Sequence, residues 1–482
     1  MRKSTWHKHH KWSGLILCFF MLMFCLSGIV LNHREVVSQV NVSRGLLPPF
    51  YRFSNWNGGL LRGSMSLNDS SVLIYGVGGV WRTDSVAGII EDYNNQLPHG
   101  ADCRSIRSMV KMPSGEIFAV SSYGLFSLEK DDRWRQVEVP TDTEERLSDI
   151  IAFGDTLVIV GRSYLYLSTA PFVDFKRIEL ASSPNQDDKL TLFRTMWKLH
   201  SGELFGIPGR LVVDAIALVF IFLCLSGFVS WLLPKFRRYL GMKLKLLLGW
   251  SKKWHNKVGR ATIVLTILLV ITGWCLRPPL MIPLVMNKTK PIPGTSSPNV
   301  WHDKLRMLRY DDVEGDWILF TSDGFFSLES LSAEPIKIEP APSVSVMGLN
   351  VWQRDKDGQW LCGSFSGMSR WNRADETITD YYSGESLIGK SGSPFGAKAI
   401  SGYSSDLACG EVVVGYDSGT DLINQPESLA KLPMSLWNVA LEVHSGRIYF
   451  GNSATYFFIF LIGGLALWCL WSGFKIRSRK IK

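Results

Sequence analysis

Long apolar runs alternate along the chain with longer stretches of mixed pattern. Ser13 to Leu31, Leu211 to Leu233, Val258 to Leu276 and Tyr456 to Phe474 are apolar almost throughout, and each is close to the roughly 20 residues a helix needs to cross a bilayer. Two polar inserts separate them, Asn32 to Leu199 and Arg277 to Val443, each long enough to bury a core of its own. Within the inserts hydrophobic positions alternate with the period of a strand. The clearest runs are Val72 to Arg82, Ile117 to Ser127 and Leu157 to Leu167 in the first insert, and Trp317 to Ser327 and Trp360 to Arg370 in the second. Each turns at a glycine or an aromatic residue, and a weaker sixth run lies around Glu411 to Gly415.

Spacing of about 40 to 45 residues between these runs is that of propeller blades. Such units are small sheets that bury both faces only by packing radially on one another. Three before the central helices and three after predict one split β-propeller, its third and fourth units meeting edge to edge around Val158 and Ile318. Two unrelated β-sandwiches are the plainer alternative. The fold class expected is therefore a membrane protein: a four-helix transmembrane bundle with an exported all-β region. The segments are 1–33 (N-terminus and first span), 34–199 (β-rich), 200–276 (second span, basic loop, third span), 277–443 (β-rich) and 444–482 (fourth span and tail).

Charge sets the expected orientation. Arg2, Lys3, Lys8 and Lys11 precede the first span, eight Lys and Arg residues from Lys235 to Lys257 fill the short central loop, and Lys475 to Lys482 form a basic tail, all without one acidic residue. Short loops rich in Lys and Arg stay cytoplasmic, so both termini are expected inside a bacterial inner membrane and both inserts in the periplasm. The net charge of +9 is then a topology signal, with the lipid bilayer as partner and no implication of nucleic acid. The first span ends in Asn32-His33-Arg34, not at a small-residue cleavage site, and is expected to remain as an anchor. Of eight cysteines, Cys103, Cys362 and Cys409 are exported and allow one disulfide, and the rest suit apolar filling within spans.

The spans are themselves duplicated. His10-Lys-Trp-Ser-Gly14 followed by Ser27-Gly28 matches His255-Asn-Lys-Val-Gly259 followed by Thr272-Gly273. His200-Ser-Gly202 before Ser226-Gly227 matches His444-Ser-Gly446 before Ser472-Gly473. On a helix His10, Gly14 and Gly28 share one stripe, and an imidazole beside a side-chain-free patch suits a flat macrocycle. Two imidazoles from two helices are a common way to hold a b-type haem. His10 with His255 is the expected cytoplasmic-side pair, and His200 with His444, or His33 in place of one of them, the exported-side pair, with Gly14 and Gly259 beside them. His7 and His9 compete with His10, while His99 and His302 are expected to be ordinary. The same glycines also suit close helix packing in lipid, and Arg210, Asp214 and Arg260 are expected to snorkel from span ends.

These motifs resemble the PepSY-associated transmembrane family, which includes bacterial ferric-siderophore reductases; the likeness rests on His10 to Gly14, His200 with Gly206 and Gly209-Arg210, Ser226-Gly227, and Trp254-His255 with Gly259. It implies a haem-b electron-transfer protein of iron uptake, which as an enzyme would be a ferric-chelate (siderophore) reductase. No PepSY module is recognisable in the inserts. A bilayer core about 30 Å thick asks for two haems rather than one. No dinucleotide fingerprint follows a strand, so the expected donor is quinol or a membrane redox partner, and the acceptor a ferric chelate or an iron-uptake partner in the periplasm. The alternative is a non-enzymatic, membrane-anchored propeller that binds or senses a ligand linked to iron uptake.

Overall fold

The apolar runs become helices because nothing within them competes for the backbone. In the computed structural model, which describes residues 3–142, 144–184, 189–239, 241–295, 297–390 and 398–476, ten helices form. They are α1 (Lys3–Asn32), α2 (Arg34–Val37), α3 (Leu192–Ser201), α4 (Gly206–Leu232), α5 (Met242–Ala261), α6 (Ile263–Cys275), α7 (Met281–Met286), α8 (Glu427–Ala430), α9 (Leu436–Ser445) and α10 (Arg447–Lys475). All but α8 belong to a helical unit made of Met1–Val37, Asp187–Ser296 and Leu436–Lys482; the remainder, Ser38–Gln186 and Ser297–Ser435, is a second unit.

In the helical unit α1 packs on α4, α9 and α10, and α6 packs on α3 and α10. Small residues make close approach feasible: a Cβ added to Gly463 would strike the Trp274 ring. Phe19, Val264, Phe457 and Leu461 turn outward and are more than half exposed, as residues meeting lipid must. Three segments, Lys3–Asn32, Glu203–Phe236 and Ala454–Lys475, are long and apolar enough to cross a membrane. The expected third span is not one straight helix. Its residues fall on two helices, α5 and α6, bent by 68° at Thr262, whose backbone leaves helical geometry (φ −102°, ψ 4°). The Thr262 hydroxyl donates to Val258 O at 2.9 Å and Thr266 donates to Thr262 O at 3.1 Å, the back-bonding by which threonine bends helices.

The second unit is all β. The five strong alternating runs are the central hairpins of five four-stranded antiparallel sheets, and the sixth run forms a two-stranded one. Paired positions such as Ile74↔Trp81, Ala119↔Phe126, Ile159↔Tyr166 and Leu319↔Phe326 keep large side chains in register. Gly79, Gly324 and Gly367 close three hairpins at φ of +119°, +117° and +124°, backbone that only glycine adopts without strain. The first strands of sheets two to six share a register shift near their start, as between Leu147 and Asp149 or Leu305 and Met307.

Neighbouring sheets pack in chain order through buried side chains. Leu73 and Val80 of the first sheet meet Ala119 and Phe126 of the second. Val120 and Leu125 meet Leu157 and Ile159 of the third. Ile318 and Phe325 of the fourth meet Trp352 and Trp371 of the fifth, and Leu361 meets Tyr403 of the sixth. Val412 and Val414 of the sixth sheet then pack on Ile74 and Trp81 of the first. Each large apolar side chain so buried contributes about 1.5–3 kcal/mol.

The third and fourth sheets, from different inserts, meet through their faces. Val158, Val160 and Leu165 pack on Leu305, Leu308, Trp317 and Leu319, whereas among the described residues no ladder joins the two sheets; the expected edge-to-edge meeting is corrected to face packing, because the apolar side chains of both sheets are buried against each other. Arg309 Nη1 reaches the fully buried Asp149 carboxylate at 2.5 Å across this seam. Among the described residues Cys103, Cys362 and Cys409 form no disulfide, and Cys103 accepts from the Gln39 amide at 3.3 Å.

Candidate functional site

The helical unit carries one local device four times. Four helices contain a Ser-Gly or Thr-Gly step: Ser27-Gly28 in α1, Ser226-Gly227 in α4, Thr272-Gly273 in α6 and Ser472-Gly473 in α10. The hydroxyl folds back on its own helix, Ser27 to Met23 O at 2.6 Å, Ser226 to Leu223 O at 3.3 Å, Thr272 to Leu268 O at 2.9 Å and Ser472 to Cys469 O at 2.9 Å. All four hydroxyl side chains are buried. The glycine beside each leaves a notch, and an imidazole from another helix fills it.

The notch is narrow. A Cβ at Gly273 would stand 2.7 Å from His200 Cε1, at Gly473 2.8 Å from His10 Cε1, at Gly28 3.2 Å from His444 Cε1 and at Gly227 3.3 Å from His255 Cε1. Gly14 and Gly259, expected beside a macrocycle, lie instead against Cys469 and Leu223 of neighbouring helices. Gly28 likewise faces His444, not the His10 of its own helix.

Hydrogen bonding fixes the tautomer. His10 Nδ1 is 3.0 Å from Cys469 O, and His444 Nδ1 is 2.9 Å from Phe24 O and 3.2 Å from Ser27 Oγ. His200 Nδ1 meets Thr272 Oγ1 at 3.0 Å and His255 Nδ1 meets Ser226 Oγ at 2.9 Å. A carbonyl only accepts, and these hydroxyls already donate to their own helices. Nδ1–H is therefore the donor each time, and Nε2 keeps a free lone pair. Among the described residues, none of the four Nε2 atoms has a hydrogen-bond partner.

The four rings form two pairs. His10 and His255 lie 6.0 Å apart between centroids with planes at 64°, and His200 and His444 lie 6.1 Å apart at 48°. Each pair joins residues that are equivalent in the duplication, and so are their notches: Gly473 with Gly227, Gly273 with Gly28. His10 stands within α1 and His255 within α5. His200 and His444 stand on the short helices α3 and α9, which end two residues later at Gly202 and Gly446 in left-handed backbone, φ +82° and +81°. At Gly202 an added Cβ would strike Gly209 O, so the sharp reversal into α4 also depends on glycine.

His33 does not join a pair. Its Nε2 lies 2.7 Å from Asp214 Oδ2, and Asn32 donates to Asp214 Oδ1 at 2.9 Å. Asp214 is buried, so the expectation that it snorkels is corrected: a carboxylate with two local donors has no need to reach water. Arg260 is held as well, donating to Asn256 and to Ile476 O. His9 packs edge-on against Trp468, and His302, in the β unit, lies 3.3 Å from Ser163 Oγ. Missing from the sequence reading were the hydroxyls of Ser27, Ser226, Thr272 and Ser472 as partners of the imidazoles. Their recurrence just before glycine in every span was the signal for them.

Two imidazoles alone suit a ligand that brings its remaining coordination with it. Among the described residues no cluster of three or more His, Cys, Asp or Glu could hold a bare metal ion.

Comparison with known proteins bears on the whole chain. Among curated proteins, none matches. Solved structures of loose likeness include the extracellular domain of a hybrid two-component system from Bacteroides thetaiotaomicron, 9% identical with a TM-score of 0.37, covering 75% of this chain and 32% of that one. A structural-genomics protein of unknown function from the same organism is 10% identical with a TM-score of 0.36, covering 77% of this chain and 72% of that one. The chain thus spans about a third of the length of the first, and a likeness this loose carries no argument. The family model described as the PepSY-associated TM region matches twice, over residues 1–233 and 129–476. The chain is a membrane protein that belongs to the PepSY-associated TM family.

Proposed function

We propose that this protein is a b-type electron-transfer protein of the bacterial inner membrane that passes electrons to a ferric chelate on the periplasmic side. One observation carries the reading: two imidazole pairs with centroids 6.0 and 6.1 Å apart, each ring with Nδ1 engaged and Nε2 free. Two metal–nitrogen bonds of about 2 Å each, added to the half-widths of two imidazoles, come to about 6 Å. That separation supports a haem iron between the rings, which His10 and His255 would hold in one pair and His200 and His444 in the other. When bound, haem supplies one-electron transfer at a potential tuned by its axial ligands and surroundings.

The protein's own residues supply orientation. Ser226, Thr272, Ser27 and the carbonyls of Phe24 and Cys469 hold each imidazole by its far nitrogen, which fixes the ring and raises its basicity as a ligand. The glycine notches let the rings sit close to a neighbouring backbone. Four spans in a bundle, with α5 and α6 counted as one, together with cytoplasmic termini, are supported by the acid-free basic segments at Arg2 to Lys11, Lys235 to Lys257 and Lys475 to Lys482. A six-bladed propeller outside the membrane is supported by the chain-order packing of the six sheets and the return of the sixth onto the first. Electrons would enter from quinol or a membrane redox partner and leave to ferric iron, releasing it from its chelator as ferrous iron.

Reduced-minus-oxidised absorption spectra of the detergent-purified protein, with each histidine replaced in turn, test the reading. His10→Ala and His255→Ala should remove the same spectral component, and His200→Ala and His444→Ala the other. His33→Ala, with its Nε2 at Asp214, should leave both. A spectrum that is indifferent to all four replacements would overturn the assignment.

A further inference from the structure

The register shift near the start of the first strands has a pattern of its own. In sheets two to six it leaves one residue without a ladder partner: Arg107, Ser148, Arg306, Asn350 and Ser401 in turn. In the first sheet Arg62 N–H bonds to Tyr75 O at 2.8 Å although Gly63 is the ladder partner of Tyr75, so Arg62 holds the same place. A bulged residue is re-aimed out of the alternation of its strand. The residue before each is aliphatic, from Leu61 and Ile106 to Ile400, whereas the six bulged residues are all polar. Three are arginine and none is acidic.

These six places lie at one end of a closed circle of first strands. Arg62 Nη1 reaches Ile106 O at 3.3 Å, Ser108 Oγ reaches Ile150 O at 3.5 Å, and Leu308 N reaches Asp149 Oδ2 at 3.1 Å. Arg309 Nε then reaches Trp352 O at 2.9 Å, Asn350 Nδ2 reaches Ile400 O at 2.8 Å, and Tyr403 N returns to Arg62 O at 3.1 Å. Each bond joins one sheet's first strand to the next, and the last closes on the first.

Neutral oxygens orient the three arginines on this rim. Arg62 donates to Ile106 O, Arg107 Nε to Ser122 Oγ at 2.7 Å, and Arg306 Nη1 to the carbonyls of Asp303 and Leu305 at 2.9 and 2.8 Å. Such acceptors fix a guanidinium without cancelling its charge. Arg107 is exposed and Arg62 and Arg306 are half-buried, so a ligand can reach all three. On the same wall Asp149 is taken by Arg309 at 2.5 Å, and Asp406 is held by the hydroxyls of Ser64 and Ser66.

We propose that this rim binds a small oxyanion carrying several negative charges, gripped by the planar forks of Arg62, Arg107 and Arg306. Joined to the electron-transfer reading above, on which this one step rests, the oxyanion is the ferric chelate itself. The substrate is then an anionic chelate with carboxylate or catecholate oxygens.

Isothermal titration of the full-length, detergent-purified protein with citrate, free and as its ferric chelate, tests it. Both forms should bind. Arg62→Gln, Arg107→Gln and Arg306→Gln should each weaken binding about tenfold or more, the effect of losing a hydrogen bond to a charged group. Arg107→Lys should lose less, since it keeps the charge without the fork. Arg133→Gln and Arg135→Gln, exposed arginines of the same unit that pair with Asp131 and Glu129, should bind as wild type does. Because Arg107 is exposed, Arg107→Gln carries the test if Arg62→Gln or Arg306→Gln fails to fold. Absence of binding, or equal losses in rim and control variants, would overturn the proposal. Binding is read without electron transfer. A haem-free preparation that still binds citrate would sustain the rim and fail the reading above, whereas a haem-loaded one that does not bind would fail the rim alone.

Discussion

His10 reaches Gly473 from within a 30-residue helix, whereas His444 reaches Gly28 from a 10-residue helix that stops two residues later at Gly446. Yet the centroid separations of the two pairs differ by only a tenth of an ångström, 6.0 against 6.1 Å. The long and short supports share no feature beyond the notch: a Ser/Thr-Gly step whose glycine admits the ring and whose turn offers an acceptor to Nδ1. Ring placement is thus set by the helix that receives the imidazole, not by the helix that carries it. The pairs differ in what carries them. His200 and His444 stand on short helices that end at Gly202 and Gly446, whereas His10 and His255 stand within longer ones.

Removing a ring breaks the comparison most completely. Each of His10→Ala, His200→Ala, His255→Ala and His444→Ala should abolish its own pair's spectral component and leave the other at full amplitude, and chelate reduction should fall at least tenfold in all four. Next come the notches. Gly273→Ala and Gly473→Ala place a Cβ 2.7 and 2.8 Å from an imidazole carbon, against 3.2 and 3.3 Å for Gly28→Ala and Gly227→Ala. Overpacking of this kind costs about 1–3 kcal/mol, so thermal stability and pair spectra should suffer most at Gly273 and Gly473. Gly14→Ala and Gly259→Ala, at 3.6 and 3.4 Å from their nearest neighbours, should change both least. A flat response across the series would show that the notches do not position the rings.

A smaller effect is expected from the hydroxyls. Ser226→Ala and Thr272→Val remove the acceptors of His255 and His200 Nδ1, worth about 0.5–1.5 kcal/mol each, and should lower the affinity of the pair without abolishing its spectrum. Ser27→Ala should matter less, since His444 keeps Phe24 O.

The β unit offers a comparison that depends on pH. Asp311 is buried, and although burial opposes its charge, donors from Trp360 at 3.1 Å and Arg373 at 2.8 Å outweigh that and hold its carboxyl below the ordinary range. A depressed carboxyl contributes stability that is complete above its unfolded value of about 3.9 and is lost as pH falls through the lower folded value. Asp311→Asn should therefore be less stable at neutral pH and flatten the acid limb of the unfolding curve followed by tryptophan fluorescence. An unaltered acid limb would remove Asp311 from the account.

Much of this fold was legible because its patterns repeat. Val72 to Arg82 and its four strong counterparts emerged as the central hairpins of five sheets, since strict alternation with a turn glycine leaves a hairpin few rivals. Histidine pairing was legible through duplication, which makes His10 equivalent to His255 and His200 to His444. The bend at Thr262 was not, because apolar content does not register a hydroxyl that bonds back to Val258 O. Nor was the partner of each glycine: helical periodicity puts Gly28 on the stripe of His10, but only tertiary packing brings His444 to it. The neighbour of His33 was not legible either: its Nε2 lies 2.7 Å from Asp214, a long-range contact that no local spacing encodes.

The most direct measurement of the central claim is the absorption spectrum of wild-type protein purified from haem-replete cells, oxidised and then reduced, with haem quantified per polypeptide. Two haems per chain, each with the sharp reduced bands of bis-imidazole ligation, are predicted. A preparation that is folded, membrane-extracted and free of any Soret absorption would contradict the account.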